Sequence, residues 1–254
     1  MKTGLDSATH ERGNGAKAPW HACVLTLYPA MFPGPLGLGI AGRGVEDGAW
    51  SLETLDIRSF ATDKHRTVDD LPFGGGPGLV MKPDVLDAAL AVAIARAPVG
   101  AVAICLTPAG QPFDQKLARE LAAAPGVVLL CGRFEGIDAR VIEARALREI
   151  SIGDFVLSGG EPAAMCLIDA CVRLLPGVLG AAESLVQESF DDGLLEHPHY
   201  TRPAIWQDRE VPAVLTSGNH KNISAWRRDR AQRLTAERRP DLWAKYRALN
   251  ATLT

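Results

Sequence analysis

Short runs of apolar residues recur along the first two-thirds of the chain. Between them lie longer stretches whose apolar positions fall at helical spacing. The runs at 22–28, 50–57, 101–106, 127–131 and 149–152 predict β-strands, the first closed by Pro29. The stretches 83–97, 114–124, 137–146 and 161–175 predict helices, with Pro98 and Pro176-Gly177 as stops. Residues 63–78, DKHRTVDDLPFGGGPG, predict a loop, because three consecutive glycines and two prolines forbid a regular element. Strands that are apolar on both faces suit a parallel sheet covered by helices on each side. Residues 20–180 therefore read as one α/β domain. Residues 181–196 lack periodicity and read as a linker. Residues 197–254 read as a small, mostly helical domain. Its main helix starts near the cap cluster Ser217–Asn219, carries Ile223, Trp226, Arg230 and Leu234 on one stripe, and stops near Pro240. A last helix is expected over 242–249.

Charge sharpens this division. The chain has 254 residues, 47% of them hydrophobic, and a formal net charge of −3. A core of that size excludes a wholly disordered chain. Residues 197–254 carry eleven Lys and Arg against five Asp and Glu, whereas the rest carries sixteen against twenty-five. A basic C-terminal part on an acidic body suits a polyanionic partner, although a solvated helical surface would give the same count. The five cysteines, Cys23, Cys105, Cys131, Cys166 and Cys171, form no CxxC pair. They read as free, buried thiols in a reducing compartment, and no metal site is expected. No apolar run is long enough for a membrane span. A cytoplasmic location is expected, with residues 1–19 a disordered leader and not a signal peptide.

Four segments bear on chemistry. GLGIAG, residues 37–42, fits a dinucleotide pattern, but Pro29, Pro33 and Pro35 separate it from the strand that such a site needs. GGGPG, residues 74–78, could cradle a phosphate through its backbone or be a tight turn, and it lacks the Lys-Ser/Thr of a P-loop. His65, Asp69 and Asp70 nearby could hold that loop or line a site. LTPAG (106–110), CGRFEG (131–136) and SIGDFVLSGGEPAAM (151–165) each put small or polar residues where an apolar strand ends. In a parallel sheet, ligands bind at those ends. The glycines there would let backbone approach a flat, adenosine-like ligand; ordinary turn chemistry would use glycine too. Finally, QESFDDGLLEHPHYTRP (187–203) packs acids, His199, Tyr200 and Arg202 into one non-helical stretch.

In order, PFGGGPG, LTPAGQPF, LCGRFEGID, EISIGDFVLSGGE, PGVLG and PHYTRP closely resemble the bacterial tRNA (guanine-N1)-methyltransferases. The resemblance runs from about Ala22 to the C-terminus. It implies a SPOUT-class α/β domain whose parallel sheet carries a trefoil knot, a rare exception among folds. It also implies a homodimer with active sites shared between chains. S-adenosylmethionine would bind at Pro108, Gly132, Phe134, Glu135, Gly136, Ile152, Gly153, Asp154, Phe155, Val156, Leu157, Gly159 and Gly160. The product would be N1-methylguanine at the base 3′ of the anticodon, guanosine-37.

Guanine N1 carries a proton, so methylation there needs a general base, and a fixed cation would offset charge growing on O6. The family's base is an Asp in a D-S-F motif, which reads Glu188-Ser189-Phe190 here. Glu188 keeps the acid–base chemistry with one more methylene, and Asp192 is a possible substitute. The family's cation maps to Arg173, which could equally cap a helix end. Phe134 and Phe155 stand where tyrosines are usual, and Pro162 is shifted by the reading GGEPA. The resemblance also implies tRNA contacts from His199, Tyr200, Arg202, Arg227, Arg228 and Arg233. Magnesium dependence is not legible in the residues. Two other readings stay open: a catalytically weakened knotted RNA-binding protein, and a SPOUT methyltransferase with another RNA target.

Overall fold

A computed structural model describes residues 18–179, 188–190 and 192–251 of the chain. The expected leader thus lies almost wholly outside the described residues, as does 181–187 of the expected linker. The chain divides after Leu179 into two compact units. No helix among the described residues is long and apolar enough to cross a membrane.

The first unit runs β1 (Trp20–Thr26), α1 (Gly39–Glu46), β2 (Trp50–Asp56), β3 (Asp69–Asp70), β4 (Val80–Met81), α2 (Pro83–Arg96), β5 (Val102–Pro112), α3 (Gln115–Ala123), β6 (Gly126–Cys131), β7 (Gly136–Ile137), α4 (Ala139–Ala144), β8 (Arg148–Ser151) and α5 (Glu161–Val172). Five strands pair in the order β2-β1-β6-β5-β8, every pair parallel. This is the α/β architecture expected from the run pattern. Alternate strand residues face opposite layers. Trp20, Ala22 and Val24 of β1 pack with Leu121 of α3 and Leu167 and Ile168 of α5. Cys23 and Leu25 pack with Leu86, Ala89 and Leu90 of α2 on the other side. Both faces are dry, which is why these strands read as continuous apolar runs.

Helix α3 illustrates the local logic. Asp114 stands just before it in extended conformation, and its carboxylate accepts from Leu117 N at 2.8 Å. One orphan N–H of the first turn is thereby satisfied. Asp114→Ala should cost about 1 kcal/mol of stability, to be read as a shift in the urea unfolding midpoint of this unit.

Three local expectations need correction. β5 does not stop at Leu106. It pairs with β8 through Leu106, bulges over Thr107–Gly110, then resumes at Gln111 opposite the same Ile150. Gly110 allows this, since a Cβ there would collide with the Ile150 backbone. The expected loop 63–78 contains a two-residue strand, β3, because β4 offers it an antiparallel edge. The helix expected from Ile137 begins at Ala139, because Gly136–Ile137 pairs with the other side of β4 and Asp138 caps the helix. GLGIAG follows two 3-10 turns, Pro29–Met31 and Gly34–Gly37, so no strand runs into its glycines.

The second unit holds a short antiparallel pair, β9 (Ile205–Trp206) and β10 (Arg209–Glu210), then α6 (Ala213–Thr216), α7 (His220–Arg238) and α8 (Pro240–Ala251). Asn219 caps α7 by accepting from Asn222 N at 3.2 Å. On the expected stripe, Ile223, Trp226 and Leu234 are half-buried and Arg230 is exposed. Thr235 is the fully buried residue of α7. Its hydroxyl accepts from Leu195 N at 2.8 Å and donates to Ala231 O at 2.7 Å. The described part of the expected linker thus folds back onto α7, with Leu194 buried and Glu196 N donating to Ser189 Oγ at 3.0 Å.

Candidate active site

The bulge of β5 and the C-terminal ends of β6 and β8 open into a cavity of about 370 Å³. That is within the size range of small-molecule sites, at ~300–1,000 Å³. The β5 bulge contributes Thr107 and Pro108, and the segment after β6 contributes Gly132, Phe134, Glu135 and Gly136. The segment after β8 contributes Ile152, Gly153, Phe155, Val156, Leu157, Gly159 and Gly160. Asp154 is the one expected cofactor residue outside the lining. Phe155 N donates to Gly153 O at 2.9 Å, a tight turn that leaves Asp154 exposed at its apex.

Sequence reasoning missed several lining residues. Thr107 was hidden because the bulge is invisible where the apolar run stops. Ser151 and Ser158 carry no motif by themselves. Ser151 Oγ donates to Gly153 O at 3.1 Å and accepts from Gly153 N at 3.3 Å, locking the start of the turn. Arg133 lies inside CGRFEG without an expected role, yet it lines the cavity.

The floor is backbone and the rim is apolar. Gly160 N donates to Gly132 O at 2.9 Å, so two of the three loops touch directly. Phe134 and Phe155 are half-exposed at the rim, and Val156 is almost wholly exposed. Phe134 holds a left-handed φ of 60°, unusual for a residue with a Cβ. The GGGPG loop is anchored beside this rim. Glu135 N donates to Leu79 O at 2.9 Å, and a Cβ on Gly78 would collide with the Glu135 side chain. Neither His65 nor Asp69 nor Asp70 lines the cavity. Asp63 holds their loop by accepting from Thr67 N at 2.8 Å, which also lowers its carboxyl pKa.

Arg173 stands at the C-cap of α5, half-buried, and is outside the cavity lining. Glu188 belongs to the second unit. There, with Asp192, Glu196, His197, Arg227 and Arg228, it lines a separate cavity of about 360 Å³. His197 sits 4.9 Å from the His199 ring and 6.4 Å from Trp226, and Tyr200 sits 6.2 Å from Trp226. Burial, Arg227 and His199 all lower the His197 pKa and favour its neutral form. His199 is 3.0 Å from Glu196, and Arg202 is exposed. Arg228 reaches Tyr246 Oη at 3.3 Å, and Arg233 pairs with Asp229 at 3.0 Å one helical turn away.

The cysteines are free, and Cys166 departs from the expectation of burial because it lies on the outer side of α5. The thiols of Cys105 and Cys171 are pushed up to about 12, chiefly by burial. His21, Cys23 and Glu53 meet near the start of β1, with ligand atoms within 4.8 Å of one another. Burial pushes the Cys23 thiol up to about 12 as well, and Arg96 pairs with Glu53 at 2.6 Å. A protonated thiol and a neutralised carboxylate make a poor cation site.

The sequence model of the family tRNA (Guanine-1)-methyltransferase TrmD matches residues 21–245. The chain belongs to this family. A tRNA (guanine-N(1)-)-methyltransferase of Rhodospirillum rubrum is 62% identical over 232 residues, covering 91% of this chain and 96% of the relative. The protein of the same description from Mesorhizobium japonicum is 63% identical over 223 residues, covering 87% and 95%.

Proposed function

We propose that this chain is an S-adenosylmethionine-dependent methyltransferase acting on N1 of guanosine-37 in tRNA. The carrying observation is the cavity at three parallel strand ends in a member of this family. Its features suit an adenosine-bearing sulfonium: backbone amides in the floor, apolar walls, and aromatic rings at the rim. Pro108, the backbone of 132–136 and that of 152–160 would hold the donor. Asp154, at the turn apex, would act through the turn and not by direct contact. The knotted threading expected of the family is part of this reading.

When bound, S-adenosylmethionine supplies an electrophilic methyl group on a positively charged sulfur. The chain's residues do the rest. A carboxylate of Glu188, with Asp192 in the same cavity, takes the N1 proton of guanine. The methyl group that the donor would supply, with its C–S electron pair going back to sulfur, would go to the nitrogen this carboxylate deprotonates. Arg173 offsets charge on O6 or orients the carboxylate. A homodimer with active sites shared between the chains, which the family resemblance implies, is part of the proposal.

Arg227, Arg228 and Arg233 would meet the anticodon-stem phosphates, and His199, Tyr200 and Arg202 a splayed base. A cytoplasmic location follows from tRNA as substrate. The test is methyl transfer to a tRNA with guanine 3′ of the anticodon, read by nucleoside mass spectrometry. N1-methylguanine is expected, and its absence under saturating donor overturns the proposal.

A further inference from the structure

The chemistry above leaves unused a buried ion pair at the wall of the donor cavity. Arg133 Nη2 lies 2.8 Å from Glu161 Oε2; the Glu161 side chain is fully buried and that of Arg133 is 17% exposed. Glu161 is the first residue of α5, and its Oε1 accepts from Thr26 Oγ1, at the end of β1, at 2.7 Å. Arg133 Nη1 donates to Ser158 O at 3.0 Å, and its guanidinium lies 4.5 Å from the centre of the Tyr28 ring. Gly159 has only a hydrogen to spare, since a Cβ there would collide with the Arg133 guanidinium. One guanidinium therefore ties the loop after β6 to the loop before α5, and through Glu161 to the end of β1.

Stability is a poor reason for such a pair. Desolvating two charges offsets most of their attraction, and apolar replacements are often neutral or better. Among the described residues the buried Arg133 Nε and Glu161 Oε2 have no hydrogen-bond partner, so the pair is held by charge and is not fully satisfied. What the pair does deliver is fixed geometry between two loops that both line the cavity. We infer that Arg133 and Glu161 form a positioning clamp that holds the two donor-binding loops at the separation the methyl donor needs. This rests on the reading of that cavity as the S-adenosylmethionine site.

The experiment compares wild type, Glu161→Gln, Arg133→Lys and the double variant Arg133→Met/Glu161→Gln. Donor affinity is measured by calorimetry, KM and kcat by methylation, and folding by thermal unfolding. Glu161→Gln should raise the donor Kd and KM by at least about tenfold and leave the tRNA KM unchanged, because loop geometry sets donor fit. Arg133→Lys should also weaken donor binding, since an ammonium cannot hold Glu161 and Ser158 O together in one plane. The double variant, with no buried charge left, should unfold near the wild-type temperature yet still bind the donor weakly. Wild-type donor affinity in the folded double variant overturns the clamp, as does unchanged affinity in Glu161→Gln. Failure of wild type itself to bind the donor overturns the cofactor reading and the clamp with it.

Discussion

Glu188→Gln is expected to lower kcat for guanine methylation by about two to four orders of magnitude, the contribution of a positioned general base. The amide keeps the size and shape of the side chain and loses only its basic oxygen. KM for tRNA and for the methyl donor should change little. Glu188→Asp shortens the reach by one methylene and restores the family's residue, so its activity should stay within about a hundredfold of wild type, the span that a misplacement of about 1 Å covers. Asp192 lines the same cavity and serves as the internal control. Single-turnover methylation of one tRNA by Glu188→Gln, Glu188→Asp and Asp192→Asn separates the cases. Full activity in Glu188→Gln with loss in Asp192→Asn would move the base to Asp192. A wild-type chain that binds tRNA but does not turn over would favour the weakened RNA-binding alternative.

Gly160→Ala is expected to weaken binding of the methyl donor by about a hundredfold, because the change displaces one donor-binding loop against the other. A Cβ at this position would lie 2.8 Å from Cys131 Cα and 3.1 Å from Gly132 N. Both atoms are backbone at the end of a central strand, so neither yields cheaply. The hydrogen bond from Gly160 N to Gly132 O, at 2.9 Å, would have to stretch or break. Calorimetry with S-adenosylmethionine reads the effect directly. The second unit forms its own compact body, so affinity for tRNA should persist. Equal donor affinity in variant and wild type would show that the two loops are not held by this contact.

The parallel sheet was legible because its strands are buried on both faces and so appear as unbroken apolar runs, as in Gly126–Cys131. Helix starts were legible where a short polar side chain caps them, as at Asp114 and Asn219. The β5 bulge was not, because Thr107–Gly110 looks like a strand end and its return to Ile150 depends on a neighbour distant in sequence. Nor were β3 and β7, whose two residues each become strands only because β4 lies between them.

The glycine-rich segments after three strand runs read as a ligand region, and the structure brings them to one cavity. Asp154 belongs to the same motif as its neighbours, yet a single turn at Gly153 takes it out of the lining. Arg133 sits in the middle of a motif with nothing to mark it. Its partners Tyr28, Ser158 and Glu161 come from two other places in the chain.

By itself, then, the sequence determined the fold class and the family, because burial pattern and backbone-permissive glycines are local properties that a linear chain displays. Only the tertiary structure decided which motif residues face the cavity, where Glu188 and Asp192 meet Arg227 and Arg228, and which buried pair joins the donor loops. Those are contacts between segments apart in the chain, and their geometry exists only once each unit has folded.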